Sequence, residues 1–262
     1  MIELFIYLLV GALAGTLAGL LGVGGGLIIV PAIAAVLAQQ AVPHAMVMQI
    51  ALGTSLATIV LTAISSIRAH HARGAVLWPT VWRLTPGIVI GAWIGAWVAH
   101  GLDGDVLRII FGLFALGVAL QLAVGAAPAA HRQLPGNAAT GVAGGTIGFI
   151  SAIVGIGGGT LTVPFLTWCN VPMRNAVATS AACGLPIALA GTLGFIWNGW
   201  TVAGRPEPSV GYIYLPAFAG VAVASILFAP YGARLAHTLP AARLKRIFAL
   251  LLAVIGARML LS

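Results

Sequence analysis

Apolar residues run through this chain in long blocks, and charge appears only between them. No Asp, Glu, Lys or Arg occurs over residues 4–67, and further charge-free runs cover 84–102, 109–131, 133–173, 175–204 and 208–233. A helix needs about 20 apolar residues to span a bilayer. The first run therefore holds at least two membrane segments, and 133–173 is too long for one. Spanning helices are expected near 45–67, 84–99 and 106–124, and again near 173–197, 212–236 and 243–260. Each half of the chain opens on a longer apolar stretch that glycine interrupts. The first covers 4–38, and as one helix it would be about 50 Å long against a hydrocarbon core of about 30 Å. Glycines at 22, 24, 25 and 26 are poor helix interior. The pattern predicts a helix, a break at 22–26 and a short helix ending near Ala38; in the second half the break is 155–159 and the short helix ends near Trp168.

The two breaks are copies of one motif. Gly22-Val23-Gly24-Gly25-Gly26-Leu27-Ile28-Ile29-Val30-Pro31 returns 133 positions later as Gly155-Ile156-Gly157-Gly158-Gly159-Thr160-Leu161-Thr162-Val163-Pro164. Gly11 and Gly15 match Gly144 and Gly148 at the same offset, and Gly53-Thr54-Ser55 matches Ala178-Thr179-Ser180 at an offset of 125. Two units follow, 1–127 and 137–262, joined by a linker at 128–136 that carries Pro128, His131, Arg132 and Pro135.

Charge placement tests how the broken segment sits. If it crosses the membrane once, the twelve Lys and Arg divide evenly between the two faces. If it dips in and returns as a hairpin, Arg68, Arg73, Arg83, Arg132, Arg174, Arg234, Arg243, Lys245 and Arg246 share one face, and only Arg108, Arg205 and Arg258 take the other. The second arrangement obeys the positive-inside rule. It leaves three full crossings per unit, and an odd number turns the second unit upside down. The expected fold is an all-α membrane protein of two inverted repeats, each a glycine-broken hairpin or discontinuous helix plus three transmembrane helices.

Composition agrees: 61% of the 262 residues are hydrophobic, 6% are charged, and the mean hydropathy is +1.10. A soluble domain would be about a quarter charged. The pI near 10.8 would point to nucleic acid in a soluble protein; here it records basic loops on the cytoplasmic face, and no nucleic-acid partner is expected. Met1-Ile2-Glu3 lacks the basic start of a secretory signal.

The candidate chemistry lies at the breaks. A helix that restarts at Gly26 or Thr160 offers unpaired N–H groups and the positive end of its dipole to an anion. Paired interrupted helices in matching positions of two halves point to a transport site. Gly24, Gly25, Gly26, Gly157, Gly158, Gly159 and Thr160 are therefore candidate substrate-binding residues. Thr54, Ser55, Thr179 and Ser180 could add hydroxyl donors, or could serve only the packing of their own helices. Gly11/Gly15/Gly19, Gly87/Gly91/Gly95 and Gly141/Gly145 are small-residue stripes for helix packing. His70-His71 with Arg68 and Arg73 reads as a basic helix end, or as a site of anion attraction or proton transfer. His44, His100, His131 and His237 read as loop residues. Cys169 and Cys183 sit in apolar sequence and favour packing.

Absences narrow the mechanism. Glu3, Asp103, Asp105 and Glu207 are the only acids, and all fall at predicted ends or loops. A buried carboxylate relay is therefore not expected. Lys245 lies in no Walker A loop, and no G-x-G-x-x-G, G-x-S-x-G or H-E-x-x-H motif occurs, so neither an enzyme nor a cofactor or metal is expected.

The residues 19–31, their echo at 152–164 and Gly53-Thr54-Ser55 resemble the TauE/SafE sulfite exporter family of membrane permeases, over nearly the whole chain. The repeat departs from the motif at Ala178, where the first copy has Gly53. The resemblance implies transport of sulfite, sulfonates or other organosulfur anions across the bacterial inner membrane. An anion channel or permease for another small solute, and a non-transporting membrane assembly partner, are the alternatives. The expected partners are the small anion and the lipid bilayer, and a homo-oligomer is compatible with the sequence.

Overall fold

Proline and glycine set the boundaries of the helices. In the computed structural model of the chain, residues 2–21, 25–40, 42–124, 134–235 and 241–261 are described. The first half holds α1 (Ile2–Leu21), α2 (Gly26–Leu37), α3 (His44–His71), α4 (Trp78–Gly101) and α5 (Gly104–Val124). The second holds α6 (Asn137–Val154), α7 (Gly159–Trp168), α8 (Met173–Gly199), a two-stranded hairpin of β1 (Ser209–Val210) and β2 (Ile213–Tyr214), α9 (Leu215–Leu235) and α10 (Ala241–Leu261). Pro43 and Pro172, both extended, stand just ahead of α3 and α8. Pro79 and Pro216 occupy the second position of α4 and α9, where a missing N–H costs nothing.

The protein is an all-α, multi-pass membrane protein. Among the described residues α3, α4, α5, α6 and α8 are long and apolar enough to span a bilayer. With 12 and 10 residues, α2 and α7 reach only about 18 and 15 Å, half a hydrocarbon core. Large apolar side chains cover the outside, as at Trp97, Val142 and Trp197. On a soluble surface such a patch would drive association; here it meets lipid.

The first break reverses the chain. A Cβ at Gly25 would lie 2.9 Å from the Cβ of Ala14 in α1, and Gln40, just past α2, lies beside Tyr7 near the start of α1. So α2 runs back along α1 instead of continuing it.

Helices then pair across the two halves. α1 lies on α9, and α6 lies on α4. The contacts are glycine-mediated: Gly11 and Gly15 abut the backbone of Val221 and Ser225, while Gly144 and Gly148 abut Leu84 and Ile88. Gly11 and Gly15 match Gly144 and Gly148, and Leu84 and Ile88 stand 137 positions before Val221 and Ser225, so the two interfaces are matched residue by residue. Gly87 and Gly91 meet the carbonyls of Gly141 and Gly145 so closely that no Cβ fits.

At the centre α3 packs on α8, while α5 packs on α10. Gly53 approaches Phe195, and Leu56 approaches Gly191. Arg174 Nη2 donates to the carbonyl of Arg73 at 3.2 Å, and Asn175 Nδ2 to that of Ala75 at 3.0 Å, so α8 begins where α3 ends. Gly204, beyond α8, reaches Pro43 ahead of α3. α3 and α8 are thus antiparallel neighbours.

Three expectations need correction. The segment 212–236 is not one helix: Ser209 pairs with Tyr214 and Val210 with Ile213, the turn carries Gly211 at φ +57°, and α9 starts only at Leu215. Pro216, the counterpart of Pro79, marks that start in the sequence. Helix α4 begins at Trp78 and not near 84, so Arg83 lies within it on the exposed face. His44 and His100 are not loop residues; they open α3 and close α4. His131 and His237 lie outside the described residues, as does most of the 128–136 linker.

Candidate functional site

Both short helices start without a side-chain cap. Gly25 precedes α2 and Gly158 precedes α7, and neither can supply one. Glycine in these positions leaves the first N–H groups of each helix uncovered. Around α7, the first backbone bond is from Thr162 N–H to Gly158 C=O at 2.9 Å; the N–H groups of Gly159, Thr160 and Leu161 have no acceptor among the described residues.

The second break is shaped by one residue. Gly155 takes φ +69°, and the N–H of Ile156 returns to Ser151 C=O at 3.0 Å while that of Gly155 returns to Ala152 C=O at 3.3 Å. This doubly bonded turn ends α6 and frees the chain to restart as α7. A side chain at 155 would meet Leu52 and Val30 as well as a strained backbone.

The two breaks touch. Gly26 abuts the carbonyl of Gly155 and the Cα of Ile156, leaving no room for a Cβ. Ser55 Oγ donates to that same Gly155 carbonyl at 2.8 Å. On the other side of the break, a Cβ at Gly158 would lie 2.7 Å from Ser180 C=O and 3.0 Å from Gly184 N. The structure therefore brings Gly26, Ser55, Gly158, Gly159, Thr160 and Ser180 into the buried region around the meeting point. Gly25 is buried against Ala14 and Ile29, and Gly157 is buried within the second break. Gly24 lies outside the described residues.

Thr54 and Thr179 are equally buried but have structural partners. Thr54 Oγ1 accepts the N–H of Tyr214 ahead of α9, and Thr179 Oγ1 accepts the N–H of Leu77 ahead of α4, each at 3.0 Å. Ser180 Oγ donates to Val177 C=O at 2.8 Å within its own helix. Thr160 Oγ1 has no partner, although only 7% of the residue is exposed. Sequence reasoning missed two hydroxyls of the same kind, Ser151 and Thr162, which are fully buried and equally unpartnered. The signal was present: at the matched positions the first copy carries Ala18 and Ile29.

At the membrane faces the remaining candidates serve structure. Trp78 Nε1 donates to His71 Nδ1 at 3.1 Å across the α3–α4 turn. His100 Nδ1 and the Tyr212 hydroxyl form a hydrogen bond of 2.9 Å between the end of α4 and the hairpin. Arg205 spreads its guanidinium over the carbonyls of Val202, Gly211 and Trp200 at 2.7–3.0 Å, which folds the α8–α9 connection.

Known proteins similar to this chain are membrane transporters by name. A "Probable membrane transporter protein" of Haemophilus influenzae is 40% identical over 256 residues, covering 97% of each chain. One from Methanocaldococcus jannaschii is 26% identical over 270 residues, covering 97% of this chain and 94% of its own. A third, YunE of Bacillus subtilis, is 29% identical over 195 residues, covering 67% of this chain and 71% of its own. No solved structure matches the chain. The family model described as sulfite exporter TauE/SafE matches residues 7–259, and with the doubled glycine break and the paired helices this places the chain in the TauE/SafE family of membrane transporters.

Proposed function

We propose that the protein is a secondary transporter of the bacterial inner membrane that exports small sulfur-containing anions, such as sulfite or organosulfonates, by alternating access. The observation that carries this reading is the contact of the two glycine breaks. Two half-length helices, α2 and α7, start uncapped in the protein interior, and Gly26 of one break abuts Gly155 of the other. Irregular backbone inside a membrane survives only where protein or a cavity surrounds it. Uncapped helix starts there suit an anion.

In this reading Gly24, Gly25, Gly26, Gly157, Gly158, Gly159 and Thr160 form the bed for the anion, and Thr54, Ser55, Thr179 and Ser180 border it. The family's printed description supports the substrate class. The reversal of α2 along α1, and the antiparallel packing of α3 on α8, support two inverted repeats that rock against each other.

Flux in proteoliposomes tests the proposal, with sulfite, sulfate, taurine, sulfoacetate and chloride offered in turn. Saturable flux of a sulfur anion, with counterflow, is the expected result. Flux that neither saturates nor shows counterflow would make the protein a channel. No flux by current or by radiotracer would refute transport of these anions.

A further inference from the structure

We infer that the charged head of the substrate is held on the first turn of α7, with Thr160 as its side-chain donor, and that the site prefers singly charged oxyanions to dianions. This rests on the transport reading above and assigns its ligand a charge and a side.

Hydroxyl accounting selects the side. A hydroxyl has one proton to donate. Ser55 and Ser180 have each committed theirs to a backbone carbonyl, Gly155 and Val177 respectively. Thr54 and Thr179 keep their protons, but their oxygens are pinned by the N–H groups of Tyr214 and Leu77, ahead of α9 and α4. Thr160 has made no bond at all, in a position where burial without a partner is costly. It stands in the first turn of α7, beside three N–H groups that also lack an acceptor. An unpartnered buried donor at an uncapped helix start offers an anion's oxygen a side-chain hydrogen bond beside the backbone ones. The matched position in the first copy is Leu27, which is buried and has nothing to donate. Thr162 and Ile29 repeat the contrast. Two positions apart on a helix, Thr160 and Thr162 point to different sides, so Thr160 alone addresses the start of α7.

Charge follows from what surrounds the turn. Residues 4–67 and 133–173, which contain both breaks, carry no Asp, Glu, Lys or Arg, and neither does 175–204, which contains most of α8. The site is built of neutral donors. Neutral dipoles can replace the hydration of one negative charge. The cost of stripping water from an ion grows with the square of its charge, so a dianion faces about four times the penalty, with no cation in these segments to offset it.

Counterflow of radiolabelled methanesulfonate, competed by sulfate and by sulfite, tests both parts with the full-length protein in proteoliposomes. Sulfate should compete at least about tenfold more weakly than methanesulfonate. Apparent affinity for total sulfite should fall as pH rises through the ionisation of bisulfite, while that for methanesulfonate, which stays singly charged, should not. Thr160→Val should raise the KM for methanesulfonate by about tenfold or more, the cost of one hydrogen bond to an anion. Thr160→Ser should restore it, and Leu27→Met at the matched position should leave it unchanged. Thermal unfolding of each purified variant separates lost binding from lost fold, and if Thr160→Val unfolds, Thr160→Ala takes its place. Equal competition by sulfate, or a KM unmoved in a folded variant lacking the hydroxyl, overturns the inference while transport stands. Silence toward every anion in the folded wild-type protein overturns the transport reading and this inference with it.

Discussion

Thr54 Oγ1 accepts the backbone N–H of Tyr214 across 160 positions of sequence, at 3.0 Å and in full burial. The matching bond joins Thr179 to the N–H of Leu77 at the same length. Each threonine thus fixes the start of a helix that belongs to the other half of the chain. Replacing Thr54 with Val keeps the shape and leaves the Tyr214 N–H buried without an acceptor. We expect a loss of about 1–3 kcal/mol, and little loss for Thr54→Ser. Thr179→Val should cost less, because its bond is only partly buried. Thermal unfolding in detergent reads the difference, and a Thr54→Val protein as stable as wild type would remove the structural role assigned to this hydroxyl.

The α4–α6 seam makes a sharper contrast within one motif. At Gly87 an added Cβ runs into the Gly141 carbonyl, whereas at Gly141 nothing lies within 4 Å. Gly87→Ala should destabilise by about 1–3 kcal/mol through overpacking. Gly141→Ala should be neutral or stabilise by about 0.5–1 kcal/mol, since Ala is the better helix former. Equal effects from the two variants would contradict the register of this helix pair.

Burial pushes the Tyr212 phenol above its ordinary value of 10.0, with Arg205 opposing the shift. A raised phenol contributes stability that is fully present below pH 10.0 and is lost as pH rises through the higher folded value. Wild-type protein should therefore lose stability at strongly alkaline pH more steeply than Tyr212→Phe. Melting curves of the two proteins across that range give the answer, and parallel profiles would place Tyr212 in water.

Arg205 holds the α8–α9 connection through three carbonyls. Arg205→Met keeps the aliphatic stem and removes the donors. Hydrogen exchange should quicken over residues 200–212, and stability should fall by about 1–3 kcal/mol. Unchanged protection there would mean that the connection folds without the guanidinium.

Much of this was legible in the chain itself. The start of α2 at Gly26, the break at 155–159, the short helix ending at Trp168 and the spans α5 and α10 fall within a few residues of expectation, while residues 22–24 of the first break lie outside the described residues. A lipid environment makes this so, because the backbone must satisfy itself within each segment and long apolar runs have no alternative to helix. The hairpin at 209–214 was not legible. It lies outside the hydrocarbon pattern, and Tyr212 and Ile213 read as the start of a span until His100 and Phe195 are seen to hold Tyr212 in place.

The class of the protein, its doubled glycine motif and the restart of its short helices can be read along the chain, since apolar length and glycine act locally. Which hydroxyls are held by a partner and which are not depends on the fold. Ser55 meets Gly155 across 100 positions and Thr54 meets Tyr214 across 160, so no local pattern could separate them from Thr160. Burial removes water as the alternative partner, and a polar group's role is then set by whatever the fold places within hydrogen-bonding reach.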